Sequence, residues 1–279
     1  MEKLFRPLLS PAQRRANARW RESVIASTPP LSDDHVGDLL VIAPHPDDET
    51  IGCAATMVRR RLRGARVRVV VVSDGGNSHR SALISEHELA TIRRDESLAA
   101  ADLLGIGRGA VQFLGFDSAQ LRAQPQAVVS AITDQIRQFG PSEILTTSIV
   151  EWSDEHRIVA GLVRLATEES GFTGVLREFP VWHWDNGPSR AKPWASPLRH
   201  VVDLIRFRRL AAASRPGVSV PVAELRPLKE AAFACYRSQT TNLTGEETWR
   251  PFPDRWLEKF LDHEIFFTVS DASGASVAE

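Results

Sequence analysis

The sequence predicts an α/β protein: a doubly wound, mainly parallel sheet with helices on both faces and an irregular C-terminal extension. Three observations carry that prediction. Apolar-rich runs recur at 39–43 (LLVIA), 67–72 (VRVVVV), 111–116 (VQFLGF) and 143–147 (EILTT), the mark of strands covered on both faces. Stretches with apolar residues at helical spacing separate them. Turn-forming residues sit at or just past the strand ends: Pro44-His45-Pro46, Asp74-Gly75-Gly76-Asn77 and Gly115-Phe116-Asp117. Strands alternating with helices over 38–184 favour parallel pairing.

Residues 1–36 form an N-terminal helical extension. Leu4, Leu8, Leu9, Ala12, Ala16, Trp20 and Val24 make a loose stripe with Arg14, Arg15, Arg19 and Arg21 between them. A basic amphipathic segment of this kind can lie on a membrane, but packing on its own domain is the commoner outcome. The proline-bearing stretch 27–34 connects it to the first strand. After that strand, Ile51, Ala54, Ala55, Met57, Val58 and Leu62 mark a helix stopped by Gly64, with Arg59, Arg60, Arg61 and Arg63 at its solvated outer end. The second strand runs into a turn-rich loop, and a helix over 86–104 ends at Gly105. The third strand is followed by a helix over 127–139, and Gly140-Pro141 leads to the fourth strand. Residues 151–156 (EWSDEH) open a helix that runs to about 169, and the fifth strand is expected over 175–184, carrying Trp182, His183 and Trp184. Beyond it the pattern loosens: a strand at 201–205, a helix at 224–237, a short helix from Asp254 to 261 and a strand at 265–269. The reading is thus a single α/β domain over 37–270, with a disordered tail at 271–279.

At 279 residues and 43% hydrophobic content the chain can bury a large core. A net charge of −1 supplies no bulk attraction to nucleic acid or to acidic membranes. Cys53 and Cys235 cannot build a disulfide framework, Cys53 reads as core, and no transmembrane segment or signal peptide is legible. A cytoplasmic protein acting on a small molecule, with no nucleic-acid partner, is expected; a homo-oligomer stays open.

The chemistry concentrates at DLLVIAPHPDDET, residues 38–50. In open parallel sheets ligands sit beyond the carboxyl ends of the strands, where His45, Asp47 and Asp48 fall. An imidazole and a carboxylate three residues apart can share one metal ion and leave the adjacent carboxylate free as a base. The competing reading, a polar turn with Asp48 or Glu49 capping a helix, accounts for one carboxylate and not for a histidine and three consecutive acids. A third ligand is required. Of His79, His87, His156, His183, His200 and His263, His156 has the best position, at the start of the helix after the fourth strand. A surface helix histidine is the equal alternative on spacing alone.

Pro44-His45-Pro46-Asp47-Asp48-Glu49 resembles the opening signature of the zinc-dependent PIG-L (LmbE-like) de-N-acetylases. Arg93 and Glu96 with Leu104-Gly105, Phe113-Leu114-Gly115 with Asp117, Asp154-Glu155-His156-Arg157, and Lys229 with Tyr236-Arg237-Ser238-Gln239 resemble further family segments in the right order, over roughly 38–240. The resemblance implies a Rossmann-like fold without a nucleotide. No G-x-G-x-x-G follows the first strand, and its acids would repel a pyrophosphate. It further implies Zn2+ on His45, Asp48 and His156, Asp47 as general base, Arg93 and Asp117 at sugar hydroxyls, and an N-acetylglucosamine-type amino-sugar conjugate as substrate. The structural alternatives are an Arg93–Glu96 helix pair and a turn aspartate. The family's histidine three residues before the last ligand is here Ser153, which cannot act as a cationic acid. His183 is the replacement candidate; an aromatic core strand with one hydrogen-bonded histidine is its alternative. Two classes stay open: a zinc deacetylase, and a metal-binding protein of this fold with altered or lost catalysis that binds a carbohydrate or a partner. A metal-dependent phosphoesterase fits less well, since two-metal sites need more ligands.

Overall fold

The computed structural model describes residues 11–32, 36–186 and 216–269. A seven-stranded sheet lies at its centre, in the order β3-β2-β1-β4-β5-β7-β6. Five strands, β1 (Leu39–Ala43), β2 (Val67–Ser73), β3 (Val111–Phe116), β4 (Glu143–Thr147) and β5 (Val175–Phe179), pair in parallel. β7 (His263–Thr268) runs antiparallel to β5, and β6 (Pro216–Pro221) closes the edge antiparallel to β7.

The apolar runs follow from the two-faced burial. In β1 all five residues are buried: Leu39 and Val41 enter one core, Leu40 and Ile42 the other. On the first face lie α2 (Asp48–Leu62) and α3 (Glu86–Leu103), through Ile51, Cys53, Ala54, Met57 and Ala100. On the second lie α5 (Pro125–Phe139) and α6 (Asp154–Ser170), through Val128, Ile132, Ile136, Val159 and Val163. Local signals set the helix limits: Ser85 and Glu88 form a reciprocal capping box on α3, and Gly140 and Gly171 end α5 and α6 in left-handed conformation.

α1 (Pro11–Ser27) packs on the same domain. Trp20, Val24 and Ile25 meet the first core, Arg21 pairs with Asp262, and Pro29 and Leu31 exchange backbone bonds with Ser219 in β6. A buried ion pair within the C-terminal region, Lys229 with Glu264, is tied to α2 by hydrogen bonds. Glu264 accepts from Lys229 Nζ (2.6 Å), from Thr56 Oγ1 (2.6 Å) and from the amides of Ala55 and Thr56 (2.8 Å each). Such a pair holds its place because its remaining lone pairs are filled.

The structure corrects three elements. β5 stops at Phe179, so Trp182, His183 and Trp184 lie past the strand, and His183 opens a four-residue helix, His183–Asn186. β6 has no counterpart in the sequence reading. A six-residue helix, α4 (Ser118–Ala123), precedes α5, capped by Asp117. The strand expected at 201–205 and the tail at 271–279 fall outside the described residues. Among the described residues no helix is long and apolar enough to cross a membrane.

Gly52 lets α2 pack directly on Phe179 of β5, since a Cβ there would stand 2.2 Å from Phe179 Cδ2. Overpacking of this kind costs about 1–3 kcal/mol. Urea denaturation of Gly52→Ala is expected to show a loss in that range, and wild-type stability in the variant would show that Phe179 moves aside freely.

Candidate metal centre

The chain runs β1 to β2 to β3 in one direction and then returns to place β4 on the other side of β1. The crevice at the carboxyl ends of β1 and β4 is therefore the switch point of the sheet, the place where such folds hold ligands. His45 lies on the turn leaving β1, Asp48 is the first residue of α2, and His156 is in the first turn of α6, which follows β4. Two helix amino termini, each with acids in its first turn, converge on one point.

Three ligand atoms form a nearly equal-sided triangle. His45 Nδ1 stands 3.2 Å from Asp48 Oδ2 and 3.2 Å from His156 Nε2, and His156 Nε2 stands 3.3 Å from Asp48 Oδ2. Ligands about 2.0–2.1 Å from a tetrahedral ion are separated by about 3.3–3.4 Å, so the triangle has the size of one face of such a site. Two imidazole nitrogens and a carboxylate oxygen are also the donor set such an ion takes, and without a cation or proton between them their lone pairs face one another. The residues fit a divalent metal. Asp48 further accepts the His45 amide at 3.0 Å, and Glu155 Oε2 holds His45 Nε2 at 2.6 Å, leaving Nδ1 as the inward-facing atom. His156 is buried, and its Nδ1 has no hydrogen-bond partner.

Asp47 is separated from Asp48 by its backbone. Its φ of 141° makes it the one non-glycine residue with positive φ among the described residues, a conformation that neighbours must impose. Arg93 does much of this: its guanidinium donates to Asp47 Oδ2 (2.8 Å), to the Pro46 carbonyl (2.7 Å) and to the Gly75 carbonyl (3.1 Å). Glu49 accepts from the Asp47 amide (3.0 Å) and is itself held by Ser97 Oγ (2.6 Å) and Tyr236 OH (2.7 Å).

The other sequence candidates lie outside the ligand triangle. Arg93 is 2% exposed and bonded to Asp47, Pro46 and Gly75, so it faces neither solvent nor Glu96; Glu96 instead accepts from the Ser238 amide and hydroxyl. Asp117 is exposed and spends a carboxylate oxygen capping α4 at the Gln120 amide. Ser153 occupies the N-cap position of α6 without a side-chain cap bond. His183 is buried among aromatic rings, with Trp20 at 4.8 Å, Trp184 at 6.0 Å and Phe267 at 6.5 Å, and is not part of the triad. Glu151 and Glu155, beside the triad, were not given a role by sequence reasoning; the signal was an acid just before Trp152-Ser153 and another immediately ahead of His156.

Burial penalises the charge of every group here, and partners decide the outcome. For Asp47 burial wins over the nearby Arg93 and, with Asp48 adding to it, raises the carboxyl to about 8. For Asp48 the two imidazoles outweigh burial and hold it below its usual range. For His45 hydrogen bonds to Asp48 and Glu155 overcome burial and raise the imidazole to about 9.

Residues 40–167 match the PIG-L family, described as GlcNAc-PI de-N-acetylase. A 2'-N-acetylparomamine deacetylase of Streptomyces fradiae is 26% identical over 241 residues, 79% of this chain and 81% of that protein. The solved N,N'-diacetylchitobiose deacetylase of Pyrococcus horikoshii superposes with a TM-score of 0.60 at 19% identity, covering 95% of this chain and 94% of the other. A 4-carboxy-2-hydroxymuconate hydratase from Pseudomonas putida superposes with a TM-score of 0.58 at 17% identity, over 86% of this chain and all of the other. These two structures establish the fold, which carries more than one chemistry.

Both raised groups stabilise the metal-free fold while protonated. Their contributions are complete below the ordinary values of 3.8 and 6.5 and are lost as pH climbs through about 8 and about 9. Denaturation of metal-free protein is expected to show stability falling from about pH 4 to about 9, most steeply between about 6.5 and 8 where both contributions are being lost, and His45→Gln to flatten the upper part of that fall. An unchanged slope in His45→Gln would assign it to other groups.

Proposed function

We propose that this chain, a PIG-L family protein through residues 40–167, is a divalent-metal-dependent hydrolase that removes the acetyl group from an N-acetylated amino sugar or its conjugate, with zinc as the metal. The observation that carries the proposal is the ligand triangle of His45, Asp48 and His156 with a buried, backbone-strained Asp47 beside it. The deacetylases among its relatives support the reaction type, and their names support the amino-sugar class.

In this reading His45, Asp48 and His156 hold the ion, which when bound supplies Lewis acidity to an acyl oxygen and to water. Glu155 fixes His45 so that Nδ1 faces inward. Asp47 moves the protons. Its carboxylate takes one from the attacking water and returns it to the departing nitrogen, which must be protonated because an amide anion is too basic to leave. A carboxyl that burial keeps high in pKa suits the second task, and a cation at the triad would favour the ionised form needed for the first. Arg93 holds Asp47 Oδ2 and so aims the other oxygen, and the α2 and α6 amino termini favour negative charge developing between them. His183, packed among Trp20, Trp184 and Phe267, has no part in this scheme; Asp47 takes the role that the missing histidine at Ser153 would otherwise fill.

Purified protein is expected to hold about one zinc ion per chain by elemental analysis, and His45→Ala or His156→Ala to lose it. Retention of full zinc in His156→Ala would mean a different third ligand.

Amine release from a panel of N-acetylated amino sugars tests the reaction. Asp47→Asn should keep the metal and lower turnover by about 10²–10⁴-fold, whereas His183→Phe should leave it nearly unchanged. A metal-loaded wild type that cleaves none of the panel, with cleavage restored by Ser153→His, would identify a deacetylase fold that has given up its acid.

A further inference from the structure

Glu151 is wholly buried at the centre, yet the scheme above does not use it. Its Oε1 accepts from the Val181 amide (2.5 Å) and its Oε2 from the Trp182 amide (2.9 Å). The same Oε2 stands 3.9 Å from His156 Nδ1, the buried ring nitrogen without a hydrogen-bond partner. From this grip Trp182 continues into an aromatic wall: it stacks on Trp256 at 4.5 Å and meets Phe252 edge-on at 5.6 Å, and Trp182 and Phe252 are both half-buried.

We infer that Glu151 is a positioning residue that couples His156 to the turn carrying Trp182, so that metal loading and the placement of the aromatic wall depend on one carboxylate. The inference rests on the metal-site reading. A histidine that presents Nε2 to an ion carries its proton on Nδ1, and that N–H needs an acceptor. Glu151 Oε2 is beside it, and a carboxylate oxygen can accept from more than one donor. Closing 3.9 Å to hydrogen-bond length takes a shift of about 1 Å. If the carboxylate moves, the Val181 and Trp182 amides follow; if the ring moves, His156 is drawn toward the wall. A purely structural clamp on the 181–182 turn would hold those amides regardless of the metal.

The test uses the full chain, 15N-labelled, stripped by chelator and titrated with Zn2+. On loading, the Val181 and Trp182 amide resonances should shift and the His156 Nδ1 proton should appear as a hydrogen-bonded ring signal. Glu151→Gln, which keeps the size of the side chain, should weaken zinc binding about 10–100-fold in chelator competition. The wild-type titration stands alone if that variant does not fold. Amide signals unmoved at saturating zinc, or unchanged zinc affinity in Glu151→Gln, would overturn the inference while leaving the metal site intact. Zinc binding untouched by His156→Ala would overturn the metal-site reading and this inference with it.

Discussion

The arrangement at the switch point depends on the guanidinium of Arg93. Two adjacent aspartates on an ordinary helix start would crowd each other, and nothing would separate their roles. Here the chain turns through a positive φ at Asp47, a conformation that costs on the order of 1–3 kcal/mol for a residue with a side chain. Arg93 offsets that cost by bonding the Asp47 carboxylate and the carbonyl before it, and it ties both to Gly75 on the turn after β2. Gly75 has to be a glycine for this: its φ is +68°, and a Cβ would meet Arg93 Nη1 at 2.4 Å. Glu49, supported by Ser97 and Tyr236, holds the Asp47 amide from the other side. The carboxylate at the heart of the site is therefore set by α3, the turn after β2 and Tyr236, which follows the helix Arg226–Cys235, together.

The consequence is electrostatic. Neighbouring carboxyls whose surroundings push their proton affinities apart can take different tasks. Asp48 faces two imidazoles and stays ionised; Asp47 is buried against one guanidinium and next to a like charge, and its proton affinity rises. In the proposed scheme the environment, more than the residue type, would distinguish a ligand from a proton carrier.

The central strands were legible because two-faced burial demands apolar runs, and β1, β3 and β4 have the limits that their composition gives. The triad was legible in part, since His45 and Asp48 are near in sequence and share a turn. His156 could be placed only by its position after a strand. The fifth strand was drawn too long because Val181, Trp182 and Trp184 continue its apolar character, while pairing with β4 ends at Phe179 and Glu151 takes the next amides. A side chain capturing backbone amides leaves no periodic trace. Arg93 shows the same limit: spacing suggested Glu96, one helical turn away, but a buried guanidinium reaches across the sheet end to carbonyls that no pattern announces.

On the proposed reading, the wide separation of the three metal-site residues along the chain would bear on how the protein acquires an ion. His45 and Asp48 come together as soon as α2 starts, but His156 lies 111 residues beyond His45 and arrives only when β4 has docked against β1. Such non-local pairing is among the slower events of folding. A nascent chain would then offer an ion two ligands, too few to hold it firmly, so a metal would not act as a nucleus in the way it does for small zinc-dependent modules. It would instead be a late addition to a sheet that stands on its own hydrophobic layers. Metal starvation would then yield folded, empty protein that recovers by simple uptake, without a new round of synthesis or refolding.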